Sequence, residues 1–230
     1  MHWFYDPKFT ESSTSIAPSE LDHFKSLRIR PMEEVTVTDG AGKFYICKVS
    51  EPKTGQLEVV SAHSKTKRTP EIHLVQALAK GDRDEQAVQA CVELGVSSIT
   101  PWQAELSIVN WSGKEEKGRL RWQEIATSAM KQSQQAYLPF VSEVASTKQL
   151  RPKGLGLVLD PRSSASLTDL PADTQELTIV VGPEGGITAG ELEQLIGAGF
   201  ESRKLGRSIL RTSTAGPAAV AAILTKLQSW

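Results

Sequence analysis

Residues 177–187, LTIVVGPEGGI, decide the fold of the chain. The apolar, β-branched run at 177–181 has the composition and length of a buried strand. It breaks into GPEGG at 182–186, whose glycines permit positive φ and a close approach of the backbone to a ligand. Thr188 and Glu191 then have the capping-box spacing of a helix N-terminus. The segment is therefore predicted to be a strand, a glycine loop and a helix.

The same arrangement is predicted a second time downstream. A strand at 202–205 leads into a loop at 206–212 and a helix from about 214 to 227, with Pro217 in its first turn. Two such loops on adjacent strands, with Leu159-Asp160 as a third wall, are expected to form a ligand pocket of backbone N–H and C=O groups. The alternative is a pair of tight turns without a ligand. Neither a P-loop nor a G-x-G-x-x-G motif is present, so the usual nucleotide motifs do not explain the glycines.

The region before these loops predicts an α/β domain. A strand at 72–79, an amphipathic helix at 84–94 and a strand at 96–100 that ends at Pro101 form a βαβ unit. Such a unit indicates a mostly parallel sheet covered by helices. Further elements are predicted as follows: a helix at 114–135 and strands at 139–144 and 156–159.

The first part of the chain is predicted to be mainly β-structure. Strands at 35–38 and 43–49 flank an Asp-Gly turn, which is a hairpin signature, and a third strand follows at 56–60. A short helix at 19–26, capped by Ser19, and a basic linker at 63–71 complete it. Its lysines and arginines could contact RNA phosphates or simply remain solvated.

The composition is that of an ordinary globular protein. The chain has 230 residues, 39% of them hydrophobic, and a formal net charge of −1, so any nucleic-acid contact must be a local patch. Cys47 and Cys91 are expected to be buried thiols of a reducing compartment. The four histidines lack metal-ligand spacing, and no apolar run is long enough to cross a bilayer. We therefore expect a cytoplasmic location, no metal and no membrane.

Several motifs together resemble one family. GPEGGIT-x-x-E at 182–191 and LGRSILRTSTA at 205–215 resemble the SPOUT methyltransferases. With KGDR at 80–83 and ELGV at 93–96, the chain resembles the RsmE family, which methylates N3 of a uridine in the decoding region of 16S rRNA. The resemblance covers nearly the whole chain.

The resemblance implies a fold, a cofactor and partners. Residues 72–230 would form a SPOUT α/β trefoil-knot domain with a mostly parallel sheet, and residues 1–68 a PUA-like β-barrel that binds RNA. The protein would be a homodimer that uses S-adenosylmethionine and acts on 16S rRNA or the small ribosomal subunit. The implied cofactor-binding residues are Leu159, Asp160, Gly182, Pro183, Glu184, Gly185, Gly186, Ile187, Leu205, Gly206, Ser208, Ile209, Leu210 and Thr212.

Residue roles follow from the chemistry of methylating an imide nitrogen. Arg211, in the second loop, is the first candidate for stabilising negative charge on the uracil, with a structural ion pair as its alternative. Glu184 could be a general base or could cap backbone N–H groups. Trp102, Trp111 and Trp122 could stack on bases or pack in the core. The candidate RNA-binding residues are Lys25, Arg28, Arg30, Lys65, Lys67, Arg68 and Arg83.

Three positions depart from the family pattern. Leu106 and Gln135 stand where the family has arginines, and Ser213 stands where it has a carboxylate. These departures keep two alternatives open: a non-catalytic SPOUT protein that binds RNA or the ribosome, and a SPOUT methyltransferase with a different RNA target.

Overall fold

The computed structural model describes residues 1–230 and contains two compact units. Unit 1 consists of residues 1–67 and 127–138, and unit 2 of residues 68–126 and 139–230. Unit 1 therefore includes a segment that lies far along the chain from its first part. Each helix is too short or too polar to span a bilayer.

Unit 1 is built on a four-stranded sheet, in the order β1-β2-β3-β4. Its strands are β1 (His2–Tyr5), β2 (Glu34–Thr38), β3 (Lys43–Glu51) and β4 (Gln56–Ser64). β1 pairs parallel with β2, and the other pairings are antiparallel. The predicted hairpin is confirmed. Strand alternation explains it, because Val35, Val37, Tyr45, Cys47 and Val49 all point into a buried core.

Two details of unit 1 differ from expectation. A 3-10 turn at Pro18–Glu20 precedes α1 (Leu21–Ser26), and the predicted cap by Ser19 is wrong, because Glu20 precedes the helix and no side chain caps it. Strand β4 continues to Ser64, so the polar linker is shorter than predicted. Its length follows from pairing, since Lys43 on β3 is registered with Ser64.

Unit 2 has an α/β fold with a seven-stranded sheet whose pairings are all parallel. The strand order is β11-β9-β10-β5-β6-β7, with β8 also paired to β6. The strands are β5 (Glu71–Ala77), β6 (Ser98–Gln103), β7 (Phe140–Val141), β8 (Ala145–Ser146), β9 (Leu155–Leu159), β10 (Glu176–Val181) and β11 (Phe200–Arg203). The predicted βαβ unit is confirmed.

The remaining helices are α2 (Arg83–Glu93), α3 (Glu115–Gln132), α4 (Ala189–Gly197) and α5 (Thr212–Lys226). Helix α2 shows why the sequence predicts it: Ala87, Val88, Cys91 and Val92 recur at helical spacing and are fully buried. Helices α2 and α5 pack closely, because Gly216 has no side chain and its Cα position lies beside the Cys91 thiol.

Several predicted boundaries are wrong for physical reasons. Strand β6 does not stop at Pro101. The missing N–H of this proline is tolerated, because pairing with β7 ends at Ile99 and pairing with β8 begins at Trp102. Helix α5 begins at Thr212, so Pro217 lies in its second turn and not in its first. The strand predicted at 202–205 is observed at Phe200–Arg203, and that at 139–144 is observed only as the short β7, with β8 following it outside the predicted range.

Candidate functional site

A cavity of about 590 Å³ lies at the carboxyl ends of β9, β10 and β11 in unit 2. Its volume is within the range of sites for small ligands and cofactors. The expectation that the two glycine-bearing loops follow adjacent strands is wrong, because β9 lies between β10 and β11. The third wall that follows β9 is therefore the central one, and the two loops flank it.

The GPEGG loop has the geometry that its glycines permit. The Gly186 N–H donates to the Pro183 carbonyl at 2.9 Å, and Gly186 has a φ of +80°. Gly185 allows a close approach, since a Cβ built on it would lie 2.8 Å from the Leu106 Cβ. The loop is therefore a tight turn seated against the 104–110 segment.

A buried carboxylate fixes the helix that follows this loop. Thr188 and Glu191 form the predicted capping box at the start of α4. Glu191 is fully buried, and its Oε1 accepts from the Glu105 N–H and the Thr147 hydroxyl, both at 2.9 Å. The Thr188 hydroxyl donates to Glu105 Oε2 at 2.9 Å. One carboxylate thus joins the start of α4 to two other segments of unit 2.

The second loop is tied to the first by Thr212. Its hydroxyl donates to the Gly182 carbonyl at 2.8 Å and accepts from Gln76 Nε2 at 2.9 Å. Thr212 and Gln76 are both buried, so these bonds are shielded from water. The Thr212 side chain, which belongs to the second loop and bonds the first, therefore sets the relative position of the two loops.

The central wall carries an ion pair. Asp160 is buried, and its Oδ1 accepts from the Arg162 N–H at 3.0 Å and from Arg162 Nε at 2.9 Å. The hydrogen bond to Asp160 raises the pKa of Arg162 above its ordinary value. Arg162 Nη2 also donates to the Ile187 carbonyl at 3.4 Å. The guanidinium thus bridges the central wall and the GPEGG side of the cavity.

The two candidate catalytic residues have different surroundings. Arg211 is exposed and lines the cavity, and its carbonyl accepts the Thr214 N–H at 2.9 Å. The Glu184 side chain is only 19% exposed, and its Oε1 accepts from Arg83 Nη1 at 3.0 Å and from the Lys80 N–H at 3.2 Å. Glu184 thus has the geometry of the backbone-capping alternative.

The cavity brings together the residues that the resemblance implied for the cofactor. Its lining includes all of these: Leu159, Asp160, Gly182, Pro183, Glu184, Gly185, Gly186, Ile187, Leu205, Gly206, Ser208, Ile209, Leu210 and Thr212. The lining residues that sequence reasoning missed are Pro161, Arg162, Val181, Lys204 and Ala215. Each lies within two residues of a predicted one or sits one turn into α5, so extending the predicted walls by two or three residues would have found them.

The candidate RNA-binding residues are not brought into this cavity. Lys25, Arg28, Arg30, Lys65 and Lys67 belong to unit 1 and are exposed. Arg68 belongs to unit 2 and donates to the Leu94 carbonyl at 2.7 Å. Arg83 is engaged by Glu184, so its role includes holding the GPEGG loop.

The three candidate tryptophans and both cysteines pack in the protein interior. Trp102, Trp111 and Trp122 are buried, and the rings of Trp111 and Trp122 pack edge to face with centroids 5.2 Å apart. Both cysteines are free and buried, as predicted. Burial raises the pKa of Cys47 to about 12 and raises that of Cys91 as well.

One histidine lies among carboxylates at the opposite ends of the strands. Ligand atoms of Glu71, His73 and Glu176 lie within 4.8 Å of one another, because β5 and β10 pair in register there. The His73 ring bonds Ser98 Oγ at 2.7 Å and Glu176 Oε1 at 3.0 Å. These hydrogen bonds give both ring nitrogens of His73 a partner, and the sequence spacing gave no sign of the grouping.

The cavity and its fold match known proteins. A family model for the RNA methyltransferase domain matches residues 66–224. The chain is 35% identical to ribosomal RNA small subunit methyltransferase E of Mycobacterium bovis, over 88% of this chain and 82% of that protein. It is 31% identical to the protein of that name from Bacillus subtilis, over 91% and 88% respectively.

Two solved structures agree along almost the whole chain. The ribosomal RNA small subunit methyltransferase E of Neisseria gonorrhoeae, bound to S-adenosylmethionine, has a TM-score of 0.88 and 33% identity, with 98% of this chain and 97% of that chain covered. A methyltransferase of Legionella pneumophila in complex with the same cofactor has a TM-score of 0.87 and 27% identity, with 97% and 96% covered. The chain therefore belongs to the family of ribosomal RNA small subunit methyltransferases E.

Proposed function

We propose that this protein is an S-adenosylmethionine-dependent methyltransferase that methylates N3 of a uridine in the 16S rRNA of the small ribosomal subunit. The observation that carries this proposal is the cavity of about 590 Å³ that three loops line together. Family membership and two cofactor-bound neighbours over almost the whole chain support it.

The residues present fit the cofactor. Leu159, Leu205, Ile209 and Leu210 give the cavity apolar walls for an adenine ring, and the loop backbones offer N–H and C=O groups to its edge. Gly185 and Gly186 leave room for the backbone to approach a ligand. When bound, S-adenosylmethionine supplies a methyl group already activated on sulfonium.

The chain's own residues then orient the uracil and stabilise its charge. N3 of uracil must lose its proton as it attacks, which leaves negative charge on the neighbouring carbonyl oxygens. Arg211 is assigned to stabilise that charge, because its backbone is fixed at the start of α5 while its side chain is exposed at the cavity. Proximity between the held base and the methyl group contributes several kcal/mol in such reactions.

Glu184 is assigned to position the GPEGG loop. Its carboxylate is held by the Arg83 guanidinium and the Lys80 N–H, which joins the loop to the turn before α2. Acting as a general base is the second role open to it, and it would require release from Arg83. The two roles differ in their signature: a positioning Glu184 changes cofactor affinity, whereas a base changes the pH profile of turnover.

The finer architecture is part of the same proposal. Residues 72–230, apart from 127–138 of unit 1, form a SPOUT trefoil-knot domain, and residues 1–68 form the main part of a PUA-like β-barrel. The RNA contacts are Lys25, Arg28, Arg30, Lys65 and Lys67 of unit 1, together with Arg68 and Arg83 of unit 2. The enzyme acts as a homodimer in the cytoplasm, where ribosomal subunits are made. Leu106, Ile108 and Ile209 of unit 2 are exposed apolar side chains, and their exposure supports a second copy of the chain that would cover them.

The second candidate function is non-catalytic binding of RNA or the ribosome. The observation in its favour is Leu106, an apolar residue at a position where the family pattern expects an arginine. A methyltransferase with a different RNA target is the third. Leu106 lies against Gly185 in the GPEGG loop, so the departure is at the cavity itself.

Transfer of a labelled methyl group to purified small subunits tests the proposal. We expect labelling that maps to N3 of one uridine. Arg211→Ala should lower turnover by about 10²–10³-fold with nearly unchanged cofactor affinity. Arg207→Ala is the matched control, since Arg207 is exposed in the same loop but does not line the cavity. No labelling by folded, cofactor-bound protein would favour the second candidate, and labelling elsewhere the third.

A further inference from the structure

Three aromatic rings and a lysine form a continuous group in unit 1. The rings of Trp3 and Phe44 are stacked with centroids 5.4 Å apart and planes at 28°, and those of Phe44 and His63 are stacked at 5.1 Å and 18°. The Lys65 Nζ lies 5.7 Å from the centroids of both Trp3 and Phe44. We call Trp3, Phe44, His63 and Lys65 the aromatic ladder.

The aromatic ladder lies on the outer face of the sheet. Along β3 the buried residues alternate with Phe44, which is half-buried, and His63 is exposed opposite it on β4. Between β1 and β3, strand β2 places only short threonines, Thr36 and Thr38, in register with Trp3 and Phe44. Trp3 can therefore reach across to Phe44, and the stack ends in solvent at His63.

The lysine is held in place above the rings. Lys65 Nζ donates to the Gln134 carbonyl at 3.5 Å, and the Tyr137 hydroxyl donates to the Lys65 carbonyl at 2.9 Å. Both partners belong to the later segment of unit 1. An ammonium beside a stack of rings that ends in an exposed ring is a combination that suits a single-stranded nucleic acid, because a base can stack on the exposed His63 ring while the cation meets a phosphate.

We propose that the aromatic ladder is a binding subsite for an unpaired RNA nucleotide, whose base extends the stack at His63 and whose phosphate contacts Lys65. The proposal deepens the proposed function, on which it rests for the identity of the RNA. A cross-strand aromatic group that only stabilises the sheet is the competing explanation. It predicts effects on unfolding and none on RNA affinity.

The test is the affinity of the full-length protein for a short single-stranded oligouridylate, measured by fluorescence anisotropy over a series of salt concentrations. Phe44→Leu keeps an apolar side chain but removes the ring against which His63 stacks, so we expect binding to weaken by up to the value of one base–aromatic stack, roughly 5- to 150-fold, with an unchanged salt slope. Lys65→Gln should instead lower the salt slope by about 0.7, the value of one phosphate contact on a single strand.

Two further variants keep the result interpretable. Lys53→Gln removes the same charge from an exposed position in the β3–β4 turn, and its affinity should stay within about twofold of the unaltered protein. If Phe44→Leu does not fold, His63→Ala, at an exposed position, removes the open end of the stack and should weaken binding in the same way. RNA affinity that is unchanged in both Phe44→Leu and His63→Ala overturns the proposal.

Different results would refute the proposed function and the subsite proposal. Cofactor titration of the same variants reports on unit 2, and Phe44→Leu should bind S-adenosylmethionine as the unaltered protein does. If no methyl transfer occurs but Phe44→Leu still loses RNA affinity, the function is wrong and the subsite stands. If methyl transfer occurs and Phe44→Leu changes only the molar mass measured by sedimentation, the aromatic ladder is a contact between copies of the chain and the subsite proposal is wrong.

Discussion

Gly185→Ala tests whether the GPEGG loop must lie against the 104–110 segment to form the cofactor cavity. A Cβ at this position would lie 2.8 Å from the Leu106 Cβ and 3.2 Å from the Leu106 carbonyl oxygen. Carbon atoms pack at about 3.5–4.0 Å, so one segment must move by roughly 1 Å. The contact atoms belong to the Leu106 backbone and its first side-chain carbon, which no rotamer change can remove.

The magnitude follows from the cost of overpacking. An inserted methyl group typically destabilises a packed region by about 1–3 kcal/mol. If that destabilisation falls on the loop conformation that binds S-adenosylmethionine, the affinity for the cofactor falls by roughly 5- to 150-fold. Calorimetric titration with the cofactor measures this loss. Gly190→Ala is the matched control, because a Cβ there meets nothing within 4 Å and Gly190 lies outside the cavity lining.

A double variant identifies the contact responsible. Leu106→Gly removes the atom 2.8 Å away, so the effect of Gly185→Ala should shrink in that background. The reasoning is refuted if Gly185→Ala binds the cofactor within about twofold of the unaltered protein, or if its loss is the same with and without the Leu106 side chain.

Two other predictions concern buried groups. Both oxygens of buried Glu191 accept hydrogen bonds, so in Glu191→Gln the new NH2 group faces at least one N–H or hydroxyl donor. Urea unfolding should therefore show a loss of about 1–3 kcal/mol in unfolding free energy, whereas Glu193→Gln on the exposed side of α4 should change it little. Burial raises the pKa of Cys47 and Cys91 above the unfolded value of 9.0, so the stability that they contribute is complete below about pH 9 and falls as the pH rises above it. Each thiol adds a slope of about 1.4 kcal/mol per pH unit there. Above about pH 9 the unfolding free energy of the unaltered protein should fall more steeply with pH than that of the Cys47→Ala, Cys91→Ala double variant; parallel curves would contradict the assignment.

Local signals explain what sequence reasoning predicted correctly at the site. The strand, glycine loop and helix at 177–198 are specified by neighbours in the chain: a β-branched run, glycines, and Thr188 three residues before Glu191. The same holds for the βαβ unit, in which apolar residues of α2 recur at helical spacing. Short-range patterns of this kind need no knowledge of the tertiary structure.

Long-range contacts explain what it missed. Glu191 was predicted only as a capping residue, yet its Oε1 binds Glu105, 86 residues away, and Thr147, 44 residues away. The insertion of β9 between β10 and β11 and the bond between Thr212 and Gly182 depend on topology. Pattern reasoning also ended β6 too early at Pro101, because the local gap in its pairing is set by two strands that come later in the chain.

The divided composition of unit 1 limits how this module can be exchanged between genes. Lys131 Nζ lies 2.6 Å from Glu20 Oε1, with side chains only 15% and 8% exposed, and the Gly42 N–H donates to the Ala136 carbonyl at 2.9 Å. A single recombination crossover near residue 68 would separate these partners, and a buried charge left without its counterion typically costs about 3–5 kcal/mol. Chimaeras that keep each unit intact therefore require three crossovers, near residues 68, 127 and 139, so that residues 127–138 are inherited with residues 1–67.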